Sequence, residues 1–400
     1  MFFEDKEEFT KYGYYLVNGI KTLSKFEAWQ FSKGNFNDIQ FIYNDELMST
    51  YDWTQEPTED IYELYASRAM QLRNDYDYLV LLYSGGIDSH TILETFLQNN
   101  LRLDEICTLS NISVESTTGK FNQEVFNRAV PFVETLDLNS LGTKFRLVDI
   151  GQLMVDQYSD EFHFENHHLY SNGVANNWTN VARSHILKSH ITDHVKLSAQ
   201  GKKVCYIWGF DKPVIGVIDN RYCLHFPSTS VDLNIREYIN RISLQEKFGN
   251  FYDEPFYITK DCPKISIKQA HLLVNAMKKI STTDTRLVGL DDLPNTGPFV
   301  LHHRAKYFRF LTKKMVDSII YPNAMLEMFK DDKVKGSVML TSRDDWFNKS
   351  NHTNQHRWSQ NLDNLVKNNK NYYKFKNDKL IAPQHILSKP YFIAKAQQEK

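Results

Sequence analysis

The six-residue segment 84–89 reads SGGIDS and combines residue types that can bind a phosphate group. Gly85 and Gly86 lack a Cβ, so the backbone can approach a bulky anion closely. If a helix begins after them, its first amide groups are donors that have no acceptor inside the helix. The hydroxyl groups of Ser84 and Ser89 would add two further donors. The segment therefore predicts a cradle for phosphate oxygens.

Asp88 places a negative charge where this cradle would bind a negative ligand. That arrangement is favourable chiefly when Mg²⁺ lies between the carboxylate and the phosphates. The alternative is purely structural: a glycine-containing turn from strand to helix, with Asp88 and Ser89 as helix caps. Capping alone does not explain why two glycines and two serines flank one carboxylate. We therefore predict that Asp88 is a metal ligand and the principal catalytic residue.

The elements around this segment must place it at the edge of a sheet. Residues 78–83 read YLVLLY, a continuous apolar run that is typical of a strand buried on both faces, and Asp88 to Leu97 has the apolar spacing of a helix. The alternation then continues with strands at 106–109, 145–150 and 204–208, and with helices at 121–136 and 174–196. Pro131 is expected to kink the first of these helices. The predicted fold class is therefore α/β, a parallel sheet with helices on both faces.

The regions on either side of this alternation have different patterns. Residues 1–76 mix short aromatic segments with one amphipathic helix from Thr58 to Arg73, for which Thr58 is the expected N-cap. Residues 214–226 predict a hairpin around Asp219. We predict a mixed α+β N-terminal region at 1–76, a central domain at 77–226, and a mainly helical region at 227–400 that binds the acceptor substrate.

Composition and charge exclude several classes of protein. A chain of 400 residues with 42% hydrophobic content can bury a sizeable core, and 47 basic against 49 acidic residues give a net charge of −2. No global field therefore attracts the chain to nucleic acid or to an anionic membrane. No apolar stretch approaches the roughly 18 residues of a membrane span, and the four cysteines form no CxxC pair. We expect a cytoplasmic protein with no membrane partner, no disulfide framework and no cysteine-based zinc site.

The SGGIDS segment, placed after an apolar strand, resembles the PP-loop signature SGGxDS of the N-type ATP pyrophosphatases. These include asparagine, NAD, GMP and argininosuccinate synthetases and tRNA lysidine synthetase. The resemblance covers residues 77–226 and implies a Rossmann-like sheet. Members cleave ATP between its α- and β-phosphates, leave a substrate oxygen bonded to AMP, and let a nitrogen nucleophile displace the AMP. The implied cofactors are ATP and Mg²⁺.

A second segment is similar in position to one found in this family. Residues 209–213 read GFDKP and follow strand 204–208, as the SGxGxDE segment follows the corresponding strand of asparagine synthetases. One glycine and one aspartate are retained, whereas the serine, a second glycine and the glutamate are missing. The resemblance makes Asp211 the second metal ligand and Lys212 a catalytic contact to the phosphates. An exposed turn is the alternative interpretation of these residues.

The resemblance also implies where the nucleotide base lies. Leu109 and Ser110, at the end of the second strand, would cover the adenine, and Gly209 would approach the same ring. Asn122 and Glu124 resemble an N-x-E pattern that some members carry. The implied nucleotide-binding residues are Ser84, Gly85, Gly86, Asp88, Ser89, Leu109, Ser110 and Gly209.

The sequence and this resemblance leave three hypotheses for the function. The first is a ligase that adenylates a small-molecule carboxylate and joins it to ammonia or an amine. Residue 2 is Phe2 and no cysteine precedes Cys107, so an N-terminal-nucleophile glutaminase is not expected. The second is an enzyme that modifies a nucleobase in tRNA or DNA, with the basic stretch Arg304 to Lys314 either lining the approach or forming a solvated helix face. The third is a non-catalytic nucleotide-binding protein.

Overall fold

The structure is a computed structural model. It describes residues 10–113, 116–118, 122–153, 191–209, 214–219, 221–228, 231, 250–283, 313–321, 373–376, 379–383 and 386–395.

The N-terminal region contains a small antiparallel sheet, with the first helix packed against it, and two further helices. Its elements are β1 (Tyr14–Val17), β2 (Ile20–Thr22), α1 (Lys25–Phe31), β3 (Gln40–Ile42), α2 (Asp45–Met48) and α3 (Ile61–Asp75), and the strand order is β2-β1-β3. The N-cap of α3 is Asp60 and not the expected Thr58. Asp60 Oδ1 accepts from the amides of Tyr62 and Glu63, each at 2.8 Å, and Glu63 Oε2 accepts from the amide of Asp60. This reciprocal capping box fixes where α3 begins.

The central sheet has five strands, and all of them are parallel. In chain order its strands are β4 (Tyr78–Leu82), β5 (Glu105–Ser110), β6 (Lys144–Asp149), β7 (Val204–Trp208) and β10 (Phe251–Pro255). The helices between them are α4 (Ile87–Gln98), α5 (Val130–Glu134), α6 (Leu138–Leu141) and α7 (Thr192–Ala199). Two strands of another sheet, β8 (Val214–Ile218) and β9 (Arg221–His225), lie between β7 and β10 in the chain. The spatial order is β10-β7-β4-β5-β6, and every neighbouring pair is parallel. Numbered by position along the chain this is 5-4-1-2-3, the strand order of a Rossmann-like sheet. The predicted α/β class is confirmed.

Both faces of the first strand of this sheet are buried. Leu79 and Leu81 belong to the larger core cluster, which includes residues of α3 and α4, while Val80 and Leu82 belong to a second cluster with Tyr206 of β7. Leu197 of α7 packs against that second cluster. The continuous apolar run therefore has the physical cause that the sequence indicated: neighbours cover the strand on both sides.

The helix predicted at 121–136 is irregular near its proline. Residues Val125–Ala129 form a π-helical segment, and α5 continues directly from Val130. Pro131 has no amide hydrogen, so the regular helical hydrogen bond to the preceding turn is lost there. The helix predicted at 174–196 lies mostly outside the described residues, and α7 covers its end.

Residues after 226 contribute strands as well as helices, which the prediction of a mainly helical region missed. They supply β10, α8 (Pro263–Thr283), α9 (Lys313–Ile320), β11 (Tyr373–Lys376), β12 (Lys379–Pro383) and β13 (Tyr391–Lys395). The predicted hairpin is confirmed as β8 and β9, and β13 pairs with β9 to give a three-stranded sheet of order β13-β9-β8. Phe226, directly after β9, packs against Tyr43 with ring centroids 4.4 Å apart, so this sheet contacts the N-terminal region.

Glu254 of β10 ties the central sheet to α3 through a buried ion cluster. Its carboxylate accepts from Arg68 at 2.9 Å, and it also pairs with Lys11 and with the hydroxyl of Tyr76. Burial by itself would raise the pKa of Glu254, but the positive charges of Lys11 and Arg68 outweigh it and hold the pKa below its ordinary value. A carboxylate whose pKa is lowered in the folded state stabilises the fold above its unfolded pKa.

We expect Glu254→Gln to lower the free energy of unfolding at neutral pH by about 1.5–3 kcal/mol, because a buried charged hydrogen bond is lost. The contribution of Glu254 to the free energy of unfolding is lost as pH falls through its lowered pKa. Below about pH 4, the free energy of unfolding should therefore fall more with decreasing pH in the wild type than in the variant. Urea unfolding followed over an acid pH series measures both effects. Glu59→Gln, which removes an exposed pair with Lys264, is the control and should change stability little. Parallel pH curves for Glu254→Gln and wild type would contradict the expectation.

Candidate functional site

The SGGIDS segment forms a tight turn between β4 and α4. Gly85 has φ +78°, a conformation that favours glycine, and Gly86 is the extended N-cap of α4. A Cβ built on Gly85 would lie 2.9 Å from the amide nitrogen of Ala129 and 2.9 Å from the carbonyl oxygen of Glu124. The turn therefore requires glycine at position 85 for its backbone conformation and for its close contact with the π-helical segment.

The two serines of the turn occupy different positions. Ser89 is buried, its hydroxyl donates to the carbonyl of Gly86 at 3.1 Å, and it accepts from the amide of Ser84 at 3.2 Å. Ser84 is exposed, and its Oγ accepts from the amide of Gly86. Ser89 thus holds the shape of the turn, while Ser84 is an exposed residue whose Oγ also lies 3.2 Å from Ser89 Oγ.

Gly209, directly after β7, lies against the first turn of α4. A Cβ at this position would be 3.0 Å from the amide nitrogen of Ser89 and 3.1 Å from its Cα. β7 and β4 are neighbours at the point where the strand order reverses, which is where open parallel sheets bind ligands. The structure therefore brings Gly209 to the turn that carries Asp88. Asp211 and Lys212, two and three residues further on, lie outside the described residues.

The end of β5 extends past the end of β4 towards the same edge. The register between them stops at Leu82 opposite Cys107, whereas Leu109 and Ser110 continue in register with β6. Ser110 is buried, and its carbonyl accepts from the amide of Ile150 at 2.9 Å. The two residues that are predicted to cover the adenine therefore lie at the same edge of the sheet as the glycine turn, on the neighbouring strand.

Asn122 shapes the loop that follows β5. It is fully buried, its Oδ1 accepts from the amide of Asn111 at 3.0 Å, and its Nδ2 donates to the carbonyl of Ser116 at 2.9 Å. Glu124, the other residue of the N-x-E pattern, contributes the carbonyl that faces Gly85. In the described residues this pattern positions backbone around the site.

Two tyrosines hold Asp88 from distant parts of the chain. The hydroxyl of Tyr321 donates to Asp88 Oδ1 at 2.5 Å, and the hydroxyl of Tyr257 donates to the backbone carbonyl of Asp88 at 2.6 Å. Tyr65 of α3 completes a buried group that we call the tyrosine cluster (Tyr65, Tyr257 and Tyr321). Burial, followed by the nearby Asp88 carboxylate, raises the pKa of Tyr321 well above its ordinary value. Its phenol therefore stays protonated and remains a donor.

Sequence reasoning missed the tyrosine cluster. Tyr257 and Tyr321 are 169 and 233 positions away from Asp88, and no spacing or motif relates them to the SGGIDS segment. Tyr257 follows β10 and Tyr321 follows α9, and neither element was recognised from its pattern. The only available signal was the abundance of tyrosine, which does not distinguish a contact to a functional residue from ordinary core packing.

The described part of the site supplies one carboxylate for a metal, that of Asp88. No group of three His, Cys, Asp or Glu side chains is placed to hold a metal ion within the described ranges. Mg²⁺ needs no such group, because it is commonly held by one or two carboxylates together with the phosphates of a substrate. Asp88, half-buried beside the glycine turn, fits that kind of site.

A scan against protein-family models and a search of curated proteins found no match to this chain. Among the residues that the structure describes, no helix is both long enough and apolar enough to cross a bilayer. The SGGIDS segment and the geometry around it are thus the observations that bear on function.

Proposed function

We propose that the protein is an ATP-dependent ligase that cleaves ATP to AMP and pyrophosphate and adenylates a substrate carboxylate for attack by ammonia or an amine. One observation carries the proposal: the glycine turn of SGGIDS lies where the strand order of a Rossmann-like sheet reverses, with Gly209 packed against it. Nucleotides bind such sheets at this point, outside the carboxyl ends of the strands. The resemblance of the turn to the PP-loop gives the chemistry.

In this proposal the turn binds the terminal phosphates of ATP. The first-turn amides of α4 have no acceptor within the helix, and the helix dipole favours a negative ligand there. The hydroxyl of the exposed residue Ser84 adds a donor, and Gly86 lets the backbone approach, while Gly85 supplies the left-handed conformation of the turn. Mg²⁺ held by Asp88, with Asp211 as the proposed second ligand, would neutralise the charge of the departing pyrophosphate. Lys212 would share that charge, while Leu109, Ser110 and Gly209 would border the adenine.

The proposed reaction has two steps. First, a carboxylate oxygen of the substrate attacks the α-phosphorus of ATP, and the bond from that phosphorus to the oxygen of the β-phosphate breaks. Pyrophosphate leaves with the bonding electron pair. Second, ammonia or an amine attacks the activated carbonyl carbon, the carbon–oxygen bond to AMP breaks, and the nitrogen loses a proton. The chain's own task is placement and charge stabilisation, and no covalent enzyme nucleophile is needed.

The test is exchange of labelled pyrophosphate into ATP by the full chain with Mg²⁺, in the presence of a panel of amino acids and other small carboxylic acids, and separately of tRNA and DNA. We expect exchange that depends on a small carboxylate. Exchange that depends on nucleic acid would instead assign the site to nucleobase modification. ATP binding without exchange under any condition would indicate a non-catalytic nucleotide-binding protein and would overturn the ligase proposal.

A further inference from the structure

We propose that Tyr321 is a positioning residue for Asp88: its hydroxyl fixes the carboxylate in the orientation that binds the metal, so that this one residue, directly after α9, supports the nucleotide site. This inference rests on the proposed function, because it assigns a partner to the proposed metal ligand. Tyr321 does not act on the reacting atoms itself. It acts through the 2.5 Å hydrogen bond from its hydroxyl to Asp88 Oδ1.

Asp88 needs such a partner because of its place in the helix. It is the second residue of α4, and the N-cap, Gly86, provides no side chain to hold the helix end. A carboxylate in the first turn of a helix is attracted to the amides of that turn, where it would act as a cap instead of a metal ligand. A short hydrogen bond from a neutral phenol to a charged carboxylate is among the stronger kinds, so it can hold one rotamer against that competition.

Tyr321 is itself fixed by the tyrosine cluster. Its ring centroid lies 5.2 Å from that of Tyr257 and 6.4 Å from that of Tyr65, and all three side chains are fully buried. The hydroxyl of Tyr65 donates to the carbonyl of Ile320 at 2.8 Å and accepts from Gln269 of α8 at 2.8 Å. The backbone immediately before Tyr321 is therefore anchored to α3 and, through it, to α8.

The same cluster also holds the backbone of Asp88. The hydroxyl of Tyr257 donates to the Asp88 carbonyl, so the cluster contacts both the main chain and the side chain of Asp88. Both contacts are separate from the hydrogen bonds within the glycine turn, which run between Ser84, Gly86 and Ser89. Two tyrosine hydroxyls thus contact the same aspartate. Both contacts are explained if the function of Asp88 depends on the orientation of its carboxylate.

The experiment uses the full chain, Mn²⁺ as the metal probe and ATP as the nucleotide. Titration calorimetry measures ATP affinity with and without metal, and electron paramagnetic resonance measures the free Mn²⁺. Tyr321→Phe removes only the hydroxyl and keeps the ring. We expect it to weaken binding of Mn²⁺–ATP about 10-fold, the consequence of losing one charged hydrogen bond. Affinity for ATP without metal should stay within about twofold, since the phosphate-binding amides are untouched.

Tyr78→Phe is the matched control, because it also removes a tyrosine hydroxyl that donates to a carboxylate, that of Glu105, and it lies outside the tyrosine cluster. It should leave the affinity for Mn²⁺–ATP unchanged. In an Asp88→Asn background, Tyr321→Phe should have no further effect on metal binding. Wild-type affinity for Mn²⁺–ATP in Tyr321→Phe, or equal losses in both tyrosine variants, would overturn the inference and leave the proposed function standing.

Two other outcomes are also decisive. If Tyr321→Phe does not fold, as judged by thermal melting, the hydroxyl is structural and the positioning role is wrong. If the wild-type chain binds neither ATP nor Mn²⁺–ATP, the proposed function itself fails and the inference fails with it.

Discussion

Asp88→Asn should lower the rate of ATP–pyrophosphate exchange by at least about 100-fold, the usual cost of losing one group that stabilises transition-state charge. Asparagine has nearly the same shape and keeps an oxygen that can accept from Tyr321, so the turn should retain its structure. The variant loses the negative charge that would hold Mg²⁺. Exchange rates at saturating ATP, together with Mg²⁺-dependent ATP affinity, measure the effect.

Asp219→Asn is the matched control for this variant. It makes the same change of charge at an exposed hairpin residue with φ +47°, a conformation that asparagine adopts readily. Its exchange rate should equal that of the wild type. Unchanged exchange in Asp88→Asn, with the control behaving as expected, would remove Asp88 from the site.

Gly85→Ala should lower the free energy of unfolding by about 2–4 kcal/mol, because left-handed strain and a backbone collision add together. The new Cβ would lie 2.9 Å from the Ala129 amide and from the Glu124 carbonyl, and neither group is the end of a flexible side chain. Relief requires the turn to move away from the π-helical segment. ATP binding should therefore be lost even where the variant is folded. Chemical denaturation and calorimetry measure the two effects.

Alanine variants of two other glycines distinguish backbone strain from steric collision as causes of the lower stability. Gly201 has φ +81° and nothing within 4 Å of a Cβ, so Gly201→Ala should show conformational strain alone, about 1–2 kcal/mol. Gly209 has no positive φ but would place a Cβ 3.0 Å from the Ser89 amide, so Gly209→Ala should show the collision alone. Equal stability of Gly85→Ala and Gly201→Ala would contradict the steric argument.

The first four strands of the sheet and the β8–β9 hairpin could be predicted because their signals are local. Continuous apolar runs mark strands buried on both faces, and the Asp219 turn marks the hairpin. β10 reads FYDEP and lacks such a run, since Asp253 and Glu254 are buried in it. Asp253 accepts from the indole of Trp208, and Glu254 pairs with Arg68. Those partners are distant in sequence, so no local pattern reveals that the charges can be buried.

The candidate site also has features that could be predicted from the sequence and features that could not. The need for glycine at position 85 follows from residue type and placement, and the structure gives it a positive φ and a crowded neighbour. The hydroxyl of Ser89, which is predicted to contact a ligand, also makes two hydrogen bonds within the turn that the sequence does not reveal. The contacts from Tyr257 and Tyr321 to Asp88 arise only when the chain after β10 folds back over α4. Such long-range contacts have no periodicity and cannot be read from the sequence.

The place of β10 at the outer side of β7 has a consequence for how the protein is made. A nascent chain that has left the ribosome as far as residue 226 has four strands of the sheet, and β7 is then an open edge of five residues that are all buried in the finished fold. Open apolar edges recruit other chains. That edge is closed only when synthesis has passed residue 255, the end of β10. A fragment of residues 77–226 produced on its own would therefore be prone to aggregation.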